Sequence, residues 1–110
     1  MKVITWNAQG VKKMQIREEI RYIICAHRPD ILFLTETMVA ESTTRRLIST
    51  FGFDHYDFVN PVNHCGGLWV LWNNNEIIAN VLLKEQRLIH MLVFDTHTQQ
   101  MVTYPVFMVP

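Results

Sequence analysis

The sequence of this 110-residue chain predicts an α/β fold. A strand, a helix and a second strand follow one another at the amino end, which is the order that builds parallel pairs. Short apolar runs separated by turn residues fill the second half and are typical of antiparallel hairpins. Hydrophobic residues make up 49% of the chain and charged residues 18%, a composition that favours a packed core over disorder. We therefore expect one small domain over residues 1–110.

The first strand is predicted over Lys2–Trp6, because that run is rich in β-branched and aromatic residues. The polar, glycine-ended segment Asn7–Gly10 follows as a loop. Asn7 is thus the first residue beyond the strand. Taken alone, Asn7 is explained by an Asx-turn, in which its side chain hydrogen-bonds the nearby backbone.

A helix is predicted over Lys12–His27. Apolar residues at Met14, Ile20 and Ile24 form a stripe at helical spacing, and charged residues occupy the other face. Pro29 ends the helix, because the residue before a proline is disfavoured in the α conformation.

A buried strand is predicted over Ile31–Leu34, an unbroken apolar run of the kind covered on both faces. A helical crossover lets this strand lie parallel to the first, so their carboxyl ends meet at one edge of the sheet. Asn7 and Glu36 would then share the rim where α/β folds bind ligands, and could form a metal-centred site. Alternatively, Glu36 is a solvated loop residue, a helix cap, or a partner of Arg28 or Arg45.

The remaining elements are a short helix and a series of strands. The helix is predicted to start at Ser42–Thr44 and to end near Gly52. The glycines of the turn at Asn63–Gly67 permit a positive φ or a close backbone approach. Pro105 suits an edge strand or a bulge better than a central strand. The strands are predicted over Tyr56–Asn60, Leu68–Trp72, Ile77–Lys84, Leu88–Phe94 and Met101–Phe107.

Composition narrows the function classes. The formal net charge of +0 argues against a dedicated DNA clamp, which is usually basic. No apolar stretch is long enough to span a bilayer, and we expect no signal peptide at the amino end. Cys25 and Cys65 lack metal-type spacing and are predicted to be reduced thiols, Cys25 buried on a helix and Cys65 in a turn.

The order of these motifs resembles the endonuclease/exonuclease/phosphatase family, and within it the endonuclease domain of LINE-type (non-LTR) retrotransposons. The likeness covers nearly the whole chain, and it depends on the order and spacing of the motifs together. The motifs are the strand-ending Trp6-Asn7, the turn Arg28-Pro29-Asp30, the pair Glu36-Thr37, and Gly66-Gly67-Leu68 before a strand that ends at Trp72.

The resemblance implies the N-terminal part of a four-layered α/β sandwich, with two β-sheets flanked by helices. It implies hydrolysis of DNA phosphodiesters with Mg²⁺ (or Mn²⁺), and a nuclear location. Glu36 is implied to be the catalytic metal ligand, and Asn7 to orient the metal-bound phosphate or another catalytic group. The chemistry is consistent, because Mg²⁺ prefers hard oxygen ligands and keeps several waters.

The sequence departs from the family pattern near its carboxyl end. The family has a tyrosine followed by Gly and Pro, then a Gly-Asp-x-Asn stretch and a Ser-Asp-His stretch. Here Phe107 stands at the tyrosine position, followed by Met108-Val109-Pro110, and the last two motifs are absent. We therefore expect an inactive fragment with incompletely covered sheets and exposed Trp69 and Trp72. The histidines that lie in no replacement motif are His55, His64, His90 and His97.

Two alternatives stay open. One is another enzyme of the same superfamily, such as a sugar-phosphate or lipid phosphatase or an abasic-site nuclease, which would share Asn7 and Glu36. The other is a non-catalytic α/β interaction domain, in which Asn7 caps a turn and Glu36 forms an ion pair.

Overall fold

A computed structural model describes residues 1–108; Val109 and Pro110 lie outside the described residues. It confirms the α/β class, with helices and strands in the predicted order. The elements are β1 (Val3–Asn7), α1 (Met14–His27), β2 (Ile31–Thr35), α2 (Glu41–Ile48), a 3₁₀ turn (Ser49–Phe51), β3 (His55–Val59), β4 (Leu68–Trp72), β5 (Ile77–Glu85), β6 (Leu88–Asp95) and β7 (Gln100–Phe107).

A four-stranded sheet carries the first part of the chain, in the strand order β1-β2-β4-β3. Strands β1 and β2 are parallel neighbours, with Val3 opposite Ile31 and Asn7 opposite Thr35, as the sequence predicts. Strand β4 runs antiparallel to both β2 and β3. The sheet is therefore mixed: β1 and β2 are parallel, and β4 is antiparallel to both of its neighbours.

Helix α1 covers one face of this sheet with Ile16, Ile20 and Ile24, whereas Met14, which was predicted to lie in the same stripe, is 63% exposed. Ile20 is fully buried, and Ile24 packs against the same core. The helix ends at His27, because Arg28 takes the left-handed conformation at φ 44° and donates its amide to the carbonyl of Ile24 at 2.9 Å. Pro29 follows, so the predicted stop is confirmed.

A separate three-stranded sheet is formed by β5, β6 and β7 in that order, all antiparallel. Strand β5 has an irregularity between Val81 and Leu83. Strand β7 lies at the edge, and Pro105 faces His90 of β6. The edge position tolerates Pro105, which has no amide hydrogen to donate, so that prediction is confirmed.

Two hydrophobic cores lie on opposite faces of the four-stranded sheet. Leu32 and Leu34 of β2 pack toward the helices, and Ile31 and Phe33 pack toward the three-stranded sheet. Both faces of β2 are therefore covered, which explains its unbroken apolar run. The largest side chains of the two cores include Ile20, Ile48 and Trp69 on the helical side and Phe33, Ile89 and Met91 between the sheets.

Two predictions about exposure are wrong. Trp69 is 1% exposed and Trp72 is 7% exposed, because the second sheet covers one face of β4 and the helices cover the other. Cys25 is exposed on α1 instead of buried, and Cys65 is exposed in its turn; both are free thiols. Among the described residues, no helix has the length and apolar character needed to cross a membrane.

Candidate functional site

Asn7 and Glu36 lie together at one edge of the four-stranded sheet. Asn7 is the last residue of β1 in register with β2, opposite Thr35. Ala8 then donates its amide to the carbonyl of Thr35 at 2.9 Å, so Glu36 begins its loop beside that of Asn7. Both residues line one cleft of about 380 Å³, together with Thr5, Thr35, Phe107 and Met108. Their placement follows from the parallel pairing; their roles stay predictions.

The backbone of Glu36 is held in an uncommon conformation. Its φ is 52°, in the left-handed region that residues other than glycine rarely adopt. Gly10 donates its amide to the carbonyl of Glu36 at 2.9 Å, which fixes the segment on the β1 side. On the other side, the amide of Met38 donates to the carbonyl of Gly66 at 2.9 Å. A backbone conformation of this kind persists only where surrounding contacts hold it in place, and residues held in this way are often found at functional sites.

A second cleft, of about 420 Å³, adjoins the first and shares Glu36 and Met108 with it. Its other wall is the turn between β5 and β6, which contributes Gln86 and Arg87. The amide of Met108 donates to the carbonyl of Arg87 at 2.9 Å, which connects this turn to the end of β7. Half-buried Glu36 and exposed Arg87 therefore line one cleft, and an arginine can bind a phosphate through two parallel hydrogen bonds.

Arg87 is the functional candidate that sequence analysis did not identify. It lies in the polar link Glu85-Gln86-Arg87 between two predicted strands, and a single arginine in a hairpin turn is usually a solvated surface charge. Only the packing of one sheet on the other brings it to the cleft that contains Glu36. Sequence spacing carries no signal of that approach.

The donors in the cleft fit a magnesium-type ion. Within residues 1–108, no group of three or more His, Cys, Asp or Glu side chains could hold a metal. The cleft instead offers the Glu36 carboxylate and the Asn7 amide oxygen, both hard ligands. Mg²⁺ is commonly bound through one or two carboxylates, waters and substrate phosphates, whereas structural zinc sites are built from Cys and His. The donor set is thus compatible with Mg²⁺ or Mn²⁺.

The ion pairs expected for a non-catalytic domain are wrong. Arg45 contacts Glu41 at 3.6 Å and donates to the Tyr56 hydroxyl at 3.0 Å. The hydrogen bond to Tyr56, followed by the charge of that group, raises the pKa of Arg45. Arg28 precedes β2, at the opposite end of that strand from Glu36. Glu36 is therefore left in the cleft without either arginine.

None of the histidines in the described part of the chain lines the two clefts. His55 stacks on Trp72 with ring centroids 5.6 Å apart, and His97 lies 3.2 Å from Glu76 on the polar side of a hairpin.

Comparison with known proteins identifies the fold. No family model matches the chain, and no curated protein matches it in sequence. Among solved structures, the AP endonuclease LMAP from Leishmania major superposes over 99% of this chain and 40% of its own, with a TM-score of 0.69 and 18% identity. The catalytic domain of human Nocturnin, determined with a bound sulfate anion, matches over 96% of this chain and 48% of its own, with a TM-score of 0.60 and 20% identity.

The two matches show a shared fold. The chain has part of the α/β sandwich fold of these two proteins, and it spans less than half the length of either structure. The predicted fold class is confirmed.

Proposed function

We propose that this chain is the N-terminal part of a metal-dependent phosphodiesterase that acts on DNA, of the kind found in LINE-type retroelements. The observation that carries the proposal is the meeting of Asn7 and Glu36 in one cleft, with Arg87 on the wall of the adjoining cleft. A carboxylate, an amide and a guanidinium are suited to a divalent ion and a phosphate group. The AP endonuclease and Nocturnin folds support the same class.

Each side chain has a distinct task in this proposal. Glu36 would bind the divalent ion through its carboxylate, and Asn7 would orient the phosphate or the ion through its amide. Arg87 would neutralise a non-bridging phosphate charge from the opposite wall. The bound ion would polarise the phosphoryl oxygen and stabilise the leaving alkoxide.

The isolated chain is expected to lack catalytic turnover. The groups that the family places on its Gly-Asp-x-Asn and Ser-Asp-His stretches are missing from this sequence, and Phe107 has no hydroxyl. Removing residues that act as a unit eliminates nearly all of the rate enhancement. Plasmid nicking by the purified chain should therefore be absent. Robust Mg²⁺-dependent nicking that Glu36→Ala abolishes would disprove this part of the proposal.

Metal binding tests the site without relying on catalysis. In an isotope-labelled sample, titration with Mn²⁺ should broaden the amide signals of Gly10, Thr37 and Gly66, because the paramagnetic ion relaxes nearby nuclei. Glu36→Gln removes the charge with little change of shape and should abolish that broadening. Glu41→Gln is the matched control, because Glu41 is an exposed carboxylate on α2 whose partner is Arg45. Uniform weak broadening in all three proteins would contradict a metal site at Glu36.

The role of Arg87 is tested by binding of a short DNA duplex. Arg87→Ala should weaken binding and lower its dependence on salt concentration, since one phosphate contact is lost. Arg46→Ala, an exposed arginine on α2, is the control and should leave binding nearly unchanged. Equal effects of the two substitutions would indicate non-specific charge attraction only.

The retroelement origin rests on the order of the sequence motifs. It is tested by reading the genomic DNA downstream of the Pro110 codon, which should encode Gly-Asp-x-Asn, Ser-Asp-His and then reverse-transcriptase motifs. A DNA substrate of this kind implies action in the nucleus. An unrelated downstream sequence would remove the support for both proposals.

An abasic-site nuclease is the second candidate, because the AP endonuclease LMAP gives a TM-score of 0.69. Tighter binding of an abasic duplex than of the intact duplex would favour this candidate. Equal binding would favour the retroelement type.

A further inference from the structure

We propose that Thr37 and Gly67 form a positioning contact that holds Glu36 in the conformation needed to bind the metal. This inference rests on the proposed metal site and adds two residues to it. Neither would touch the ion. Both would act through the backbone on either side of Glu36.

Thr37 and Gly67 are packed too closely for any side chain at position 67. Thr37 is fully buried, and its hydroxyl has no hydrogen-bond partner within residues 1–108. Gly67 has a φ of +93°, and a Cβ placed on it would overlap Oγ1 of Thr37 and lie 3.3 Å from the amide nitrogen of Met38. Residue 67 can lie this close to the Thr37 side chain only because a glycine has no Cβ.

Thr37 is held by backbone hydrogen bonds, and the residue on each side of it has a positive φ. Glu36 and Met38 have φ values of 52° and 60°, so the chain turns through the left-handed region on both sides of Thr37. The Thr37 amide donates to the carbonyl of Gly67 at 3.3 Å, and its own carbonyl accepts from the amide of Val11 at 3.1 Å. A displacement of Thr37 must therefore be absorbed by the torsions of its neighbours, and Glu36 is one of them.

The buried hydroxyl of Thr37 argues that shape is what this position needs. A buried donor without a partner is unfavourable, so hydrogen bonding does not explain a threonine here. What Thr37 does provide is a branched side chain that fills the space against Gly67. Branched side chains have restricted χ1 angles, which suits a rigid support.

The test compares Gly67→Ala with Gly52→Ala. Both glycines have positive φ, but a Cβ at Gly52 meets no heavy atom within 4 Å, so that control reproduces the backbone strain without the collision. Two signals are followed in each variant. The intraresidue HN–Hα NOE of Glu36 is strong when its φ is positive, and Mn²⁺ broadening at Gly10 reports the metal.

We expect Gly67→Ala to weaken the Glu36 NOE and to lower Mn²⁺ affinity roughly 10-fold to 100-fold, the range found when residues that orient metal ligands are changed. Gly52→Ala should leave both signals as in the wild type. The double variant Thr37→Ala/Gly67→Ala removes the atom that the new Cβ overlaps, and should recover part of both signals. A Gly67→Ala protein with unchanged NOE and unchanged affinity would overturn the inference.

Thr37→Ala alone decides the matter if Gly67→Ala does not fold. This substitution removes the branched side chain that packs against Gly67 while keeping the glycine, and it should lower Mn²⁺ affinity about 10-fold. An affinity equal to that of the wild type would overturn the inference. If the wild type itself binds no Mn²⁺, the proposed metal site fails. The NOE of Glu36 then still shows whether Thr37 and Gly67 control its backbone.

Discussion

Strands β4 and β7 differ most in how they are covered. All five residues of β4 are buried, because the helices pack on one face of its sheet and the three-stranded sheet on the other. In β7 only Val106 is buried, and Met101 and Phe107 are 61% and 65% exposed. The four-stranded sheet is thus an interior layer, while the outer face of the three-stranded sheet has no cover within residues 1–108.

This difference explains where the candidate site lies. A left-handed glutamate is retained only where the surrounding structure fixes it, and Glu36 leaves β2, which is buried on both faces. The three-stranded sheet contributes the opposite wall, with Arg87 in an exposed turn. A rigid layer holds the candidate metal ligand, and a more exposed layer presents the cation.

The largest expected effect is on the covered sheet. Trp69→Ala should lower the free energy of unfolding by about 3–5 kcal/mol, because a large buried side chain leaves a cavity. Urea denaturation measures this change. Met101→Ala is the comparison on the uncovered outer face of the three-stranded sheet, here called the bare face. It should change the free energy of unfolding by less than about 0.5 kcal/mol. Similar losses in the two variants would show that the contrast between the sheets is wrong.

The next effect is a gain of stability inside the covered region. Thr37→Val keeps the branched shape and removes a buried hydroxyl without a partner, so it should raise the free energy of unfolding by about 1 kcal/mol. The Mn²⁺ affinity should stay at the wild-type value if shape is what positions Glu36. A destabilised Val variant would indicate that the hydroxyl has a hydrogen-bond partner in solution.

A smaller effect is expected for the link between the two sheets. Lys84 of β5 lies 2.9 Å from Asp57 of β3, and both side chains are partly exposed. Lys84→Met should lower the free energy of unfolding by about 0.5 kcal/mol. Salt near 1 M should reduce the difference, because it screens the pair. A loss that does not depend on salt would assign it instead to the position of the Lys84 ammonium over the Phe58 ring, 5.8 Å from the ring centroid.

The smallest effect on stability is expected on the bare face. Met101→Lys should leave the free energy of unfolding within about 0.5 kcal/mol of the wild type, since the side chain is already in solvent. Sedimentation should show less self-association, because the substitution interrupts an exposed apolar surface formed with Ile78 and Phe94. A strongly destabilised Lys variant would mean that the face is covered in solution.

Local chemistry made much of this fold predictable. The end of α1 at His27, the parallel pairing of β1 with β2 and the edge position of Pro105 each follow from a residue or a short run. The meeting of Asn7 and Glu36 at one edge follows from that pairing. Helix α2 begins at Glu41, one residue before the predicted start, and its amino end has no side-chain cap.

The unpredicted features all depend on packing between distant segments. Nothing in the residues of β4 indicates that it inserts between β2 and β3, because a fully apolar strand suits any central position. The burial of Trp69, the position of Arg87 and the collision that forbids a side chain at Gly67 come from the same long-range packing. The exposure of Cys25 depends on which face of α1 meets the sheet, and a single cysteine gives no signal of that.

Phe107 carries a consequence at the level of the gene. This residue is among those that line the cleft of Asn7 and Glu36, and it stands where the resemblance implies a tyrosine. Phenylalanine and tyrosine codons differ by a single base, so one point mutation would return a phenol to that wall. Because Phe107 is 65% exposed, the added hydroxyl would meet solvent without a steric penalty. A phenol on this wall is therefore one base substitution away from the present sequence.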